Sequence, residues 1–234
     1  MPVSEKAIKE RFSVERCRTC NTQAACGFHG FAELQQIAER RFYARDFTII
    51  QQGKPATHAH LVCSGWLQIT HLTVNGRAVV ELAGPGTVLG LAGIMSGDGY
   101  CTSALTLDSC EVLQVEREAF VTFLLDHPTV VMRLLQTMSR QWQKSLQHLY
   151  DLASKVPTET RLMRALREIA AACGDPNSGG IRIHVPLSVQ TLADTVGCSR
   201  QWISKLLGDL VAKGLIRHRA GWISVTRAGL KHRD

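Results

Sequence analysis

The chain has 234 residues, 45% hydrophobic and 20% charged, with a formal net charge of +7, room for one large domain or two small ones, each with its own core. No apolar run approaches the roughly 18 residues of a membrane span, and Met1–Glu10 lacks the apolar stretch of a secretory signal, so a cytoplasmic protein with no membrane partner is expected. The excess charge is segregated: residues 155–234 hold 13 Lys and Arg against 6 Asp and Glu, while residues 1–154 hold 14 of each, as suits a C-terminal segment that neutralises phosphates.

Residues 1–30 read as an arm, with a brief helix over Ser4–Phe12 followed by a cysteine-bearing loop. Of the eight cysteines, Cys17, Cys20 and Cys26 fall within ten residues. In a cytosolic chain such crowding argues for metal or redox chemistry over a disulfide framework. Thiolates are soft ligands, and short spacers let three of them face one iron cluster. Zinc, with His29 as an extra ligand, or a thiol switch are the alternatives. Cys63, Cys173 and Cys198 read as ordinary buried residues.

Residues 31–126 form the next segment. A short helix is predicted over Phe31–Arg40, followed by evenly spaced strands: Thr48–Ile50, Ala59–Cys63, Gly65–Leu72, Ala78–Leu82 and Ser109–Val115, with a hairpin turn at Asn75-Gly76. Even spacing with glycine-rich joints predicts a small antiparallel barrel or jelly roll. Residues 127–156 then read as one long helix. In it Val131, Leu135, Met138, Trp142, Ser145, Leu149, Leu152 and Val156 alternate spacings of four and three, a heptad seam suited to pairing with a second copy of the chain. Leu134 and Leu146 flank the seam and are placed to pack on the barrel while the seam pairs; the alternative is a long helix lying on its own barrel.

Pro157 breaks that helix and opens the last segment, 157–234. A helix over Thr158–Ala172 and a loop over residues 174–180 are predicted first. Val189–Val196 then places Leu192, Ala193 and Val196 on one helical face. Gly197 ends that helix and Ser199 is placed to cap the next. In the following helix Ile203, Leu206, Leu207 and Leu210 make an apolar stripe, while Arg200, Gln201, Ser204 and Lys205 lie opposite, near the N-terminus. This is a helix-turn-helix whose second helix can enter a major groove. Arg200 is suited to guanine O6 and N7 and Gln201 to an adenine edge. Lys205 suits a base or a phosphate, Ser199 and Ser204 a phosphate, and Trp202 is expected to pack on the domain core. A cysteine enzyme is disfavoured, since the sequence offers no Cys/His/Asn constellation and no nucleotide loop.

The order of arm, roll, long helix and winged helix-turn-helix resembles the Crp/Fnr superfamily of bacterial transcription regulators over essentially the whole chain. The residues that carry the resemblance are Leu82–Gly86 with Leu89-Gly90-Leu91, Ser109–Val112, Leu192–Leu207, Lys213–Arg217 and the wing Gly221–Val225. It implies an α+β fold: a cyclic-nucleotide-binding-like β-roll, a dimerisation helix and a C-terminal winged helix-turn-helix. It also implies a homodimer on a palindromic duplex operator, with RNA polymerase as a further partner. Val88 stands where cyclic-AMP-binding members carry a glutamate and Thr102 where they carry an arginine, so no cyclic AMP is expected, since a buried cyclic phosphate would lack its cation. The roll remains open to another small effector. The trio Cys17-x2-Cys20-x5-Cys26 resembles instead the Fnr branch, whose oxygen-sensing [4Fe–4S] cluster takes three N-terminal cysteines and one from the roll. The sequence departs from that pattern near Val112-Leu113, leaving Cys110, with Cys101 as the alternative, for the fourth ligand. Many members carry glutamate at the position of Gln201 and arginine at that of Lys205, so the half-site is expected to differ from the usual one.

Overall fold

The structure is a computed structural model that describes residues 9–11, 33–73, 76–219 and 222–232. Cys17, Cys20, Cys26, His29 and Asn75 lie outside the described residues. The chain falls into two compact units, residues 1–72 with 83–141, and residues 73–82 with 142–234.

The roll is built on two sheets. Strands β1 (Lys9–Arg11), β2 (Ala38–Tyr43), β4 (His58–Ser64), β7 (Val88–Leu89) and β9 (Cys110–Glu116) form one, in the order β1-β2-β9-β4-β7; β3 (Thr48–Ile50), β5 (Leu67–Thr73), β6 (Gly76–Ala83) and β8 (Ser103–Thr106) form the other, in the order β3-β8-β5-β6. Leu61, Val62, Leu67, Leu113 and Val115 are buried in the core, joined by Phe120, Phe123 and Leu124 of α3 (Arg117–Asp126). Two of the buried polar groups are paired across the roll. The Thr106 hydroxyl donates to Ala44 O at 2.7 Å and accepts from Phe47 N at 2.8 Å; Arg40, 4% exposed, donates through Nε to Glu111 Oε1 at 2.7 Å. In the Leu82–Gly86 stretch that carries the resemblance, glycine has a steric reason: a Cβ on Gly84 would lie 2.5 Å from the Trp66 ring.

Several elements differ from expectation. Lys9–Arg11 is a strand paired with β2 and not part of a helix. The helix over Phe31–Arg40 shrinks to one turn, α1 (Leu34–Ile37), because Ala38–Tyr43 pairs with β9 over its whole length; ladder pairing and burial of Arg40 against Glu111 outweigh local helical periodicity. Residues 174–180 are not a loop: β10 (Gly174–Asn177) and β11 (Gly180–Ile183) form a hairpin, with Asn177 Oδ1 accepting from Gly179 N at 2.9 Å. The structure adds α2 (Leu91–Ser96), α3, β7 and β8, short elements with little periodicity of their own.

The long helix is α4 (Pro128–Ala153). Asp151, near its end, is buried; it accepts from Gln147 Nε2 at 2.8 Å and pairs with Arg164 of α5 (Thr158–Cys173). Lys155 sits between the two helices with φ +53°.

His60 is 4% exposed, and burial pushes its imidazole down to about 4, with His58 and Arg41 adding smaller positive fields. The unfolded chain takes up this proton near pH 6.5, the folded chain only near 4. The stabilisation from holding His60 neutral is therefore complete above pH 6.5 and is lost as the pH falls towards 4. We expect urea unfolding to show a loss on the order of 3 kcal/mol across that window attributable to His60, and His60→Leu to flatten this part of the pH profile.

Candidate nucleic-acid interface

Helix α6 (Val189–Val196) starts at Ser188, whose hydroxyl accepts from Thr191 N at 2.9 Å, and stops at Gly197, φ +73°, whose N–H donates to Ala193 O at 2.9 Å. The left-handed turn favours glycine, and α7 (Arg200–Ala212) begins three residues later. The Ser199 hydroxyl caps α7 by accepting from Trp202 N at 3.2 Å; its own proton stays available to a phosphate oxygen. Ile203, Leu206, Leu207 and Leu210 are buried, as are Leu192, Ala193 and Val196 of α6, in keeping with their spacing. The same helical geometry leaves Arg200, Gln201, Ser204 and Lys205 exposed together, next to the positive end of the helix dipole. A glycine C-cap closes α7: Gly214, φ +71°, donates to Val211 O at 2.9 Å and Leu215 N to Leu210 O at 3.0 Å.

Trp202 departs from expectation. It does not pack on the core: it is 43% exposed, with Lys205 Nζ 5.1 Å from the ring centroid. Its position in the first turn of α7 faces away from the apolar stripe, so the indole stays at the surface and lends one face to the Lys205 ammonium. The wing follows as β12 (Ile216–Arg219) and β13 (Trp222–Thr226), in a sheet ordered β10-β11-β13-β12, and α8 (Arg227–Lys231) ends the described chain.

On α4 the seam is divided. Val131 packs against the roll core, as does Leu134, whereas Leu135, Met138 and Trp142 are 51%, 43% and 67% exposed. The side chains of Ser145, Leu149 and Leu152 lie outside the described residues.

Of the three roll cysteines, the two expected as candidates for a fourth ligand differ sharply. Cys101 is exposed; Cys110 is buried and donates to Trp66 O at 3.4 Å. Burial and the neighbouring Asp108 carboxylate push the Cys110 thiol up to about 12. Cys173 is buried, donating to Ile169 O at 3.1 Å, whereas Cys63 and Cys198 are only half-buried, less than expected.

A recognition helix capped by serine, carrying exposed Arg200, Gln201, Ser204 and Lys205 and followed by a wing, defines a DNA-binding transcription regulator. Comparison with known proteins agrees: the family described as cyclic nucleotide-binding domain matches residues 40–127, and that described as Crp-like helix-turn-helix domain matches residues 160–233. Together they span most of the chain in the order the fold shows, and the chain belongs to the Crp/Fnr family of regulators. It is 26% identical to the CRP-like cAMP-activated global transcriptional regulator of Mycobacterium tuberculosis over 75% of this chain and 78% of that protein. Against the anaerobic regulatory protein of Bacillus subtilis it is 24% identical, over 78% of this chain and 77% of that one. The fold matches the c-di-GMP-responsive global regulator CLP of Xanthomonas campestris with a TM-score of 0.71 and 22% identity, covering 83% and 96% of the two chains. Regulators of this family bind DNA and typically act as dimers, and they are not enzymes. Among the described residues no helix is long and apolar enough to cross a membrane.

Ser199→Ala is expected to cost about 1 kcal/mol in urea unfolding by removing the cap, with Ser199→Asp retaining most of the stability. Arg200→Ala should leave unfolding unchanged and weaken binding to a selected operator by about 1–3 kcal/mol, read by fluorescence anisotropy.

Proposed function

We propose that this regulator senses redox state or a gas such as oxygen or nitric oxide, through an iron–sulfur cluster held by Cys17, Cys20 and Cys26 with one roll cysteine. The observation that carries the reading is the spacing Cys17-x2-Cys20-x5-Cys26. The strand pairing supports it: β1 lies beside β2, and β2 beside the β9 that begins at Cys110. The name of the Bacillus subtilis relative, an anaerobic regulatory protein, points the same way.

The roll cysteines fit a cluster unequally. Cys101, open to solvent, can offer its sulfur as it stands. Cys110 fits only if its thiol leaves Trp66 O, loses its proton and comes clear of the Asp108 carboxylate, 3.6 Å from Sγ. A bound [4Fe–4S] cluster would supply redox chemistry sensitive to oxygen and nitric oxide. The rest of the reading concerns the chain's own residues. The exposed row Leu135, Met138 and Trp142 pairs two copies, each copy sets an α7 against one half-site of a palindromic operator, and Arg200 and Gln201 read base edges there. Cyclic AMP is not the proposed effector, because Val88 and Thr102 occupy the positions read as those of its two polar contacts. RNA polymerase completes the proposed partners.

Protein purified under argon is expected to be brown, with about four irons per chain; air should bleach it and change its affinity for DNA. Cys17→Ser, Cys20→Ser and Cys26→Ser should each abolish the colour, and whichever of Cys101→Ser and Cys110→Ser does so identifies the fourth ligand. Iron-free protein carrying zinc favours a zinc site instead. Colourless, metal-free protein whose DNA affinity follows thiol oxidation favours a thiol switch.

A further inference from the structure

Trp202 is the third residue of α7, in the first turn beside Arg200 and Gln201, and 43% of it is exposed. Lone apolar side chains are common on protein surfaces; this one stands where the helix would meet a groove. Successive residues advance about 100° around a helix. The buried Ile203, Leu206, Leu207 and Leu210 therefore lie on one side of α7, and the exposed Gln201, Ser204, Lys205 and Gly208 on the other. Trp202 sits at the margin of that outward face, one turn before Lys205. Its ring is turned towards the outward face and not towards the core, because Lys205 Nζ lies 5.1 Å from the ring centroid. Gly208 lowers the middle of the same face: open space stands where its Cβ would be, so a duplex can approach the helix closely there.

From this we infer that Trp202 is a specificity-determining residue, which packs its indole on the C5-methyl group of one thymine in each half-site. The inference rests on the DNA-binding reading of α7 and deepens it. In a helix-turn-helix the first residues of the second helix meet base edges in the major groove. Those edges carry hydrogen-bonding groups and a single kind of apolar group, the thymine methyl. An indole has one N–H donor and no acceptor, so it cannot read the amino groups of adenine or cytosine, and the rest of its surface is apolar. The Lys205 ammonium, drawn to the ring quadrupole, covers one face of the indole. The other face and the ring edge stay open, and a ring already held in place loses less freedom on binding. Polar readout by Arg200 and Gln201 and apolar readout by Trp202 thus address different groups within one groove.

The test uses the full chain and an operator selected from a random duplex pool, in which thymines are replaced by deoxyuridine one symmetric pair at a time. The replacement removes the methyl group and keeps every hydrogen-bonding group of the base. At one such pair the wild-type protein is expected to lose about fourfold in affinity per half-site, or about fifteenfold for both, the worth of burying one methyl group at each. Trp202→Ala should bind the thymine operator more weakly and no longer distinguish the two duplexes at that pair. Trp202→Phe, which keeps an apolar ring, should retain most of the discrimination. Each comparison is a ratio between two duplexes on one protein, so a change in the folded fraction of a variant cancels. A wild-type protein indifferent to the methyl group at every thymine overturns the inference. So does a Trp202→Ala protein weakened equally on thymine and deoxyuridine duplexes, the result of a contact with the backbone. Failure of the wild-type protein to select any duplex counts against the α7 reading itself, whereas selection without methyl dependence counts against this inference alone.

Discussion

One packing constraint carries the DNA-binding unit: Ile203, Leu206, Leu207 and Leu210 cannot leave the core without exposing four large apolar side chains, each worth about 1.5–3 kcal/mol of burial. With that stripe held, the helical repeat leaves the first turns of α7 no freedom over which residues face outward. Arg200, Gln201, Ser204 and Lys205 are presented because the opposite face is anchored, and Ser199 and Gly214 fix where the helix begins and ends. The exposed polar face is thus a by-product of hydrophobic register: buried side chains determine which others are turned outward.

The same logic governs what is legible in the chain itself. The helix-turn-helix can be read because its signals agree: 3.6-residue periodicity, a serine cap, and glycine where the backbone turns left-handed. The long helix is legible from Pro128 onward through its sustained apolar repeat. Elements that depend on distant partners are not. Ala38–Tyr43 has the local look of a helix and becomes a strand only because β9 lies beside it; the 174–180 hairpin is held by its pairing with β11 and by Asn177. Trp202 defies its apolar character because its position on the helical wheel sends it outward.

The roll shows how little of a ligand site a strand pattern carries. Periodicity locates the strands Thr48–Ile50, His58–Ser64 and Cys110–Glu116 within a residue or so, yet the difference between Cys101 and Cys110 is a matter of depth, set by Trp66 and Asp108, 44 and 2 residues away in sequence. A buried thiol beside a carboxylate is a hydrogen-bonded core residue until something uncovers it, whereas a thiol on a surface loop is available from the start. Chain neighbours alone do not encode that distinction; the approach of Trp66 in the tertiary structure completes it.

The corner between α4 and α5 has a mechanical consequence. Lys155 bends the chain through a backbone conformation that few side chains adopt, and Asp151 spans the bend by gripping Gln147 on one side and Arg164 on the other. A proline break alone would make a loose swivel; a buried carboxylate tied to both arms makes a welded elbow. The end of the long helix and the start of α5 are therefore tied by side chains as well as by backbone, and losing either partner would leave a carboxylate sealed from water with less to neutralise it.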